Sequence, residues 1–467
     1  MSSGRFSLPT WSSIALALAA VACAPERSES ARTNVLVIAV DTLRADRLGC
    51  YGGTRGLTPN IDRLASRGVV FEHAFSHAPW TLPSFASLFS SLYPQQHGAG
   101  GNIRTGFRPL VPDVETLTER LQQAGYATHA IVNVDFLAPE LGVVQGFDTV
   151  DARFSDDNRT QRDARETTAQ ALRWLDAAPQ KPFFLFVHYF DPHAVYEPPQ
   201  PFRSRLAESQ DASSASPGFG TRDQVVAHRA GKLPLGEDVL RRARGLYDGE
   251  VAFTDAQVGV LLDGLAERGL DERALIVFTS DHGEEFGEHG SWEHGHSHYD
   301  ELLHVPLIVA RPGRVAPTRV AHTAAHVDVA PTICAQVGIA PGAAFRGTDL
   351  LAERRNAAAP LHVAHGNFWG GATSSLRAGD LQLIARTDVD GRQQIELYRW
   401  RVDPHERVDL ASKSAASAAE LAQMLADLER ELGASGFRTP SRLALPSALE
   451  QRLNSLGYVL SDDGEDE

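Results

Sequence analysis

Residues 34–41 read N-V-L-V-I-A-V-D, an apolar run of strand length that ends in an acid. The run is continuous and does not alternate, which is the pattern of a strand covered on both faces. Similar runs recur at 183–188 and 274–279, and the second again leads into an acid and an imidazole, Asp281-His282. Helical patterns lie between them at 59–67, 114–124, 162–176 and 240–268. In the last of these, Val251, Val258, Leu261, Leu262 and Leu265 share one stripe. This alternation predicts an α/β fold, with a large, mixed, mostly parallel sheet between helix layers. Ligands of such sheets bind beyond the carboxyl ends of the strands, where Asp41 and Asp281-His282 stand.

Further along, the pattern changes. Residues 198–235 are rich in Ser, Pro, Gly and Asp and read as a surface insertion in a catalytic domain spanning 34–340. Beyond 341, two strand patterns at 381–386 and 394–400 meet through Asp390-Gly391, and a helix is expected over 418–432. Residues 341–460 are therefore expected to form a smaller C-terminal α+β subdomain, an antiparallel sheet plus a helix. An acidic tail follows at 461–467.

The start of the chain reads as a targeting segment. Arg5 precedes a short apolar run at 14–22, too short for a membrane span. The ending A-V-A-C at 20–23 resembles a bacterial lipobox, which would make 1–23 a lipoprotein-type signal peptide and 24–33 a tether. The expected location is the periplasm or cell envelope, with simple secretion as the alternative. The only membrane attachment expected is a lipid on Cys23. Cys50 and Cys334 then remain, both in apolar contexts, and no disulfide framework is expected. A net charge of −15 with no identifiable basic face excludes a nucleic-acid partner from the expectations. Lysine occurs only at 181, 232 and 413, so a mechanism that needs an active-site lysine has three candidates.

Five segments carry chemistry. Asp41 is a carboxylate at a buried strand end, which calls for a metal or a salt bridge. Thr81 stands two residues before Pro83, at the expected start of a short apolar helix, where free N–H groups attract an anion. S-D-H-G-E-E at 280–285 places Asp281 and His282 on a tight turn, able to share a cation. H-Y-F-D-P-H at 188–193 offers His193 as a proton donor near neutral pH. H-G-H-S-H at 294–298 belongs to a stretch with six histidines from His282 to His304.

Together these segments resemble the sulfatase family of the alkaline phosphatase superfamily, from about residue 34 to 410. The resemblance includes N-V-L-V-I-A-V-D-T-L-R-A-D-R-L-G-C-Y-G, T-P-N-I-D-R-L-A, L-Y-P at 92–94, Y-D-G-E-V-A-F-T-D from Tyr247, S-D-H-G-E-E-F-G-E-H-G from Ser280 and L-Y-R-W-R-V-D-P-H-E-R from Leu397. It implies that Asp41, Asp281 and His282 bind one divalent cation, with Thr81 as both nucleophile and ligand. Ca²⁺ is the usual family ion, with Mn²⁺, Zn²⁺ or Mg²⁺ as alternatives. It implies that His193 meets the transferred group or leaving oxygen, and that His296 or His298 stands near a family lysine. The cation would polarise the ester and acidify the Thr81 hydroxyl.

The sequence departs from the family at informative places. Phe85 stands where the C/S-x-P-x-R motif has arginine, Asn133 for a substrate-binding lysine, Asp135 for a histidine and Thr42 for a second aspartate. A threonine already carries a methyl on its β-carbon, so no formylglycine is expected at Thr81. A sulfated threonine lacks the exit by C–O cleavage that the aldehyde hydrate provides, whereas a phosphothreonine can be cleared by attack at phosphorus. The favoured expectation is a metal-dependent hydrolase of phosphate mono- or diesters, or a phosphotransferase. Its substrate would be a small, glycan-linked or lipid-linked anionic ester. The alternatives are a sulfuric ester hydrolase with unmodified threonine and an inactive anion-binding pseudoenzyme. A second metal would require Asp191, His193 and His296 to converge.

Overall fold

The computed structural model describes residues 33–152, 161–177, 181–203, 219–352 and 361–437, together with Leu449 and Leu453. The expected signal segment with Cys23, most of the tether, residues 204–218 of the insertion and the acidic tail lie outside the described residues.

Strand β1 (Asn34–Val40) forms the centre of a nine-stranded sheet. Its residues divide by parity between two cores. Val35, Val37 and Ala39 enter one cluster, and Leu36, Ile38 and Val40 enter the other. A strand buried on both faces needs apolar side chains in both directions, which is why the run does not alternate.

The chain order continues through helix α1 (Pro59–Ala65), β2 (Val69–Phe75), α2 (Thr81–Ser90), α3 (Leu117–Gln123), β3 (Ala127–Ile131), β4 (Thr149–Asp151), α4 (Ala164–Asp176), β5 (Phe183–Tyr189), α5 (Arg222–Arg229), α6 (Glu237–Glu267), β6 (Ala274–Ser280), β7 (His304–Val305), β8 (Leu307–Ala310), β9 (Thr318–Ala325) and α7 (Val329–Val337). Parallel β5 and β6 flank β1, with Val37 level with both Phe186 and Val277. β3 and β4 extend the sheet in parallel beyond β5. On the other side, β8 runs antiparallel to β6 and β2, Pro306 separates it from β7, and β9 closes the edge parallel to β2. The sheet is thus mixed and mostly parallel.

Helices cover both faces. α1, α4 and α6 supply Ile61, Leu175, Val258 and Leu261 to one core, whereas α2, α3 and α7 supply Phe85, Phe89, Leu121 and Ile333 to the other. Local chemistry sets the helix starts. α3 begins at Leu117 because Thr116 and Glu119 form a capping box, three residues after the expected start at Val114. Asp163 and Glu166 do the same for α4, which leaves Arg162 outside the helix.

A second sheet is antiparallel: β10 (His362–His365), β11 (Ala372–Ala378), β12 (Leu381–Thr387) and β13 (Gln393–Tyr398). The β12–β13 hairpin turns at Gly391, whose φ of 81° suits glycine. Helix α8 (Ala415–Ala434) packs Leu421 and Leu425 against Val363, Leu376, Leu383 and Leu397. Both sheets belong to one compact unit spanning 33–467. Among the described residues, no helix is long and apolar enough to cross a membrane.

Candidate functional site

The register of β1 and β6 brings two acids together. Val40 is level with Ser280, so the next residues on each strand, Asp41 and Asp281, leave the sheet side by side. Both side chains are fully buried. The Asp41 N–H donates to the Tyr189 carbonyl at 2.9 Å. The chain then bends through Thr42, whose φ of 54° is rare for a non-glycine residue. Three contacts hold this bend: Thr42 N–H donates to Asp281 Oδ1 at 3.2 Å, Leu43 N–H to Ser280 Oγ at 3.0 Å, and the Tyr247 hydroxyl of α6 to the Thr42 carbonyl at 2.8 Å.

His282 completes the cluster. Its Nε2 lies 3.2 Å from Asp281 Oδ2 and 3.8 Å from Asp41 Oδ1. Its Nδ1 lies 3.0 Å from the Gly283 carbonyl, which accepts the ring N–H and leaves the Nε2 lone pair available to a cation. The ligand atoms of Asp41, Asp281 and His282 all fall within 4.8 Å of one another. Both oxygens of Asp41 and Oδ2 of Asp281 are buried without a hydrogen-bond partner. Two buried carboxylates in this state demand positive charge, and the residues fit a divalent cation. The same negative field acts on the protons of the cluster. Burial alone would depress the His282 imidazole, yet Asp281 and Asp41 push it up to about 9. Burial would likewise raise Asp281, but His282 holds it well below the usual carboxylate range.

Thr81 is the first residue of α2, and its Oγ1 lies 3.5 Å from His282 Nε2. No side chain caps this helix end, so its backbone N–H groups and positive dipole end remain available to an anion. All ten residues of α2 are buried, which fixes the hydroxyl against the cluster. Ser84, one turn on, donates to the Asp281 carbonyl at 2.7 Å and ties the helix to the acid loop.

Two further histidines reach the site. His188, on β5, places Nε2 at 3.3 Å from Asp41 Oδ2, and neither of its ring nitrogens has a hydrogen-bond partner. Its segment is conspicuous in the sequence, but only the parallel register shows that this residue, near the end of its strand, faces Asp41. His294 lies with its ring 4.6 Å from His282 and 4.9 Å from His193. His294 thus links the His282 and His193 rings. His294 Nδ1 is 2.9 Å from Glu284 Oε1. Burial lowers His294 to about 4, and burial together with nearby Glu293 raises Glu284 to about 8, so this contact is neutral near pH 7. Spacing within H-G-H-S-H could not identify His294 as the member that turns inward.

His193 itself is buried, stacked on Phe190, with Nδ1 2.6 Å from the Ala194 carbonyl. His296 lies apart from the cluster. Its Nε2 contacts Glu285 Oε2 at 2.7 Å, while Arg229 donates to its Nδ1 at 3.0 Å. It lines a cleft of about 890 Å³ that also holds Arg104, Arg229, Arg386, Arg392 and Trp369. His298 has both nitrogens engaged, by Ser375 Oγ and by the Gly366 carbonyl, each at 3.0 Å, and fastens its loop to the second sheet. Asn133 is likewise occupied. It accepts from Arg162 at 2.8 Å and donates to Thr167 at 2.9 Å and to the His188 carbonyl. Phe85 fills its position by packing edge-on against Phe186 and His188, at 5.6 and 5.5 Å. Asp191, His193 and His296 do not gather into a metal-binding group among the described residues.

A family model described as Sulfatase matches residues 33–339. The chain is 28% identical over 367 residues to Iduronate 2-sulfatase of Homo sapiens, covering 66% of this chain and 65% of that protein. It spans 60% of the length of the corresponding protein of Mus musculus. It is 26% identical over 420 residues to Delta 4,5-hexuronate-2-O-sulfatase of Bacteroides thetaiotaomicron, covering 83% of this chain and 86% of that one. The crystal structure of Phosphonate Monoester Hydrolase of Agrobacterium radiobacter superposes with a TM-score of 0.68 at 22% identity, over 86% of this chain and 96% of that chain. That last likeness is one of fold.

Proposed function

Because the chain belongs to the sulfatase family, we propose that it is a metal-dependent hydrolase of phosphate-type esters, mono- or diesters, that works through Thr81. The observation that carries this reading is the Thr81 hydroxyl, 3.5 Å from His282 at an uncapped helix end, beside a cluster in which both Asp41 oxygens and Asp281 Oδ2 have no hydrogen-bond partner.

Asp41, Asp281, His282 and Thr81 would hold one divalent cation. Oxygen ligands favour Ca²⁺ or Mg²⁺, and the imidazole admits Mn²⁺ or Zn²⁺. Bound there, the ion would supply Lewis-acid polarisation of the ester oxygens. The remaining chemistry belongs to the chain. The N-terminus of α2 orients the anionic ester. Thr81 Oγ1, its proton released to bulk water, attacks phosphorus in line, forming the Oγ1–P bond as the bond to the leaving oxygen breaks. His193 donates its Nδ1–H to the Ala194 carbonyl, so a second proton on the ring resides at Nε2, where a leaving alkoxide can take it. Water then attacks phosphorus, releasing phosphate or a phosphomonoester and restoring the hydroxyl. Threonine suits this sequence and does not suit sulfate release, because it cannot become the aldehyde hydrate that expels sulfate by C–O cleavage.

The substrate class is an anionic ester attached to a glycan or a lipid headgroup, for whose remainder the arginine-lined cleft beside His296, apart from the Thr81 cluster, offers positive charge. The relatives' names point to glycan esters, and the fold is shared with a protein named for a phosphonate monoester. An exported lipoprotein anchored through Cys23 would place the enzyme at envelope substrates. The test is turnover by the purified protein of aryl phosphodiester, phosphomonoester and sulfate ester, with Mn²⁺, Zn²⁺ or Ca²⁺ supplied in turn. Phosphoester hydrolysis is the expected result, and hydrolysis of the sulfate ester alone rejects the proposal.

A further inference from the structure

His289, in the 282–304 stretch, belongs to a different cluster from the Thr81 site. His289 Nε2 lies 3.3 Å from Glu301 Oε2, and the ligand atoms of His289, Glu301 and Glu406 all fall within 4.8 Å of one another. Glu301 is 5% exposed and Glu406 is 2% exposed. His289 Nε2, Glu301 Oε2 and Glu406 Oε1 are all buried atoms without a hydrogen-bond partner. The second oxygen of Glu406 accepts the Asp300 N–H at 2.8 Å, which fixes this carboxylate in place. His289 stacks on Tyr299 with ring centroids 3.5 Å apart, and the Tyr299 hydroxyl donates to Glu396 at 2.8 Å. The imidazole plane is therefore held rigidly.

Two cations stand nearby. Arg377 is paired with Asp300 through one nitrogen, and its charge also favours the Glu406 carboxylate, against the burial that raises that carboxyl. The Arg44 guanidinium donates to both oxygens of Asp46, to the Glu284 carbonyl and to Glu288. The Glu301 and Glu406 carboxyl groups face one imidazole, and Glu301 Oε2, Glu406 Oε1 and His289 Nε2 point at one another without a hydrogen bond. A single proton on His289 neutralises one of them, whereas a divalent ion at the centre satisfies all three orphaned atoms.

We propose that His289, Glu301 and Glu406 form a second divalent-cation site, separate from the Asp41–Asp281–His282 cluster. One imidazole nitrogen with two carboxylate oxygens suits an ion of the Zn²⁺ or Mn²⁺ kind. The site shares no residue with the first and stands whether or not Thr81 is a nucleophile. It joins the histidine-rich loop and the short helix Asp300–Leu303 to the turn that follows the second sheet, so its role is to clasp the two sheets together. A cavity of about 190 Å³, lined by Arg44, Asp46, Asp300, Glu301 and His405, lies against Glu301 and gives an ion room to approach.

The test counts ions in the full chain, loaded with Zn²⁺ or Mn²⁺, desalted and measured by elemental mass spectrometry. Wild type is expected to retain two per chain, Asp281→Asn one, Glu406→Gln one, and the double variant none. Asp281→Asn leaves the proposed site untouched, so the result stands even if Glu406→Gln fails to fold. No ion retained by Asp281→Asn, or an ion retained by the double variant, overturns the proposal.

Discussion

Two carboxylate–imidazole clusters in this molecule are assembled in different ways. The Asp41–Asp281–His282 group hangs from the ends of two adjacent parallel strands, so strand register alone brings its acids together. The His289–Glu301–Glu406 group is gathered from a loop, a one-turn helix and a turn beyond the second sheet. The first has the Thr81 hydroxyl 3.5 Å from His282 at the start of the buried helix α2, the placement that the proposed chemistry on an anionic ester needs. The second has the composition of a fastener. The contrast teaches that a buried acid cluster becomes a candidate catalyst through what stands beside it, not through its metal-binding capacity.

The largest expected effect comes from removing that neighbour. Thr81→Ala should cut phosphoester turnover by about 10⁴-fold or more while the first-site ion is retained, as read by steady-state rates and metal content on the same sample. His193→Gln should act more weakly, by roughly 10²-fold, and more on alkyl than on activated aryl leaving groups, because protonation matters most for poor leaving groups. A flat dependence on leaving group would remove His193 from that role.

Protons probe the same contrast at smaller scale. In the metal-free protein, His282 titrates at about 9, above its ordinary 6.5. Its pairing with Asp281 and Asp41 therefore stabilises the fold fully below 6.5, and that contribution is lost as pH rises through about 9. Because the same proton competes with a cation, apparent affinity at the first site should rise about tenfold per pH unit up to about 9 and then level off. Calorimetric titrations across that range would show it, and an affinity independent of pH would detach His282 from the ion. The smallest effect expected is thermal: Glu406→Gln should remove the part of the metal-induced rise in Tm due to the second ion, roughly 1–3 °C.

Much of the first cluster was legible in the sequence, because buried parallel strands announce themselves as unbroken apolar runs and their next residues must share one edge of the sheet. Asp41 and Asp281-His282 follow from that rule as neighbours at the sheet edge, whereas Thr81 joined them only through the family resemblance, its own segment indicating a helix start before Pro83. What the rule cannot supply is which side chains of a loop turn inward. His294 rather than His296 or His298 lies beside His282, because Glu284 holds one ring while Arg229 and Ser375 hold the other two. His188 was hidden for a related reason: a strand residue in an apolar run has no facing partner until its neighbour's register is known. Asn133 shows the opposite case. Its position in the resemblance suggested substrate, but the buried Arg162 just before α4 uses its amide to brace Val132 and Asp151. Glu301 and Glu406 carried no local signal at all, since they meet only through the packing of the second sheet.

The central claim is that Thr81 becomes covalently phosphorylated during turnover. Metal-loaded protein mixed with an aryl phosphodiester, quenched in acid within one turnover and digested, should yield the peptide containing Thr81 heavier by one phosphoryl-ester group, with the modification localised to that hydroxyl by fragmentation. An unmodified Thr81 peptide at a time when a full equivalent of aryl alcohol has been released would contradict the account.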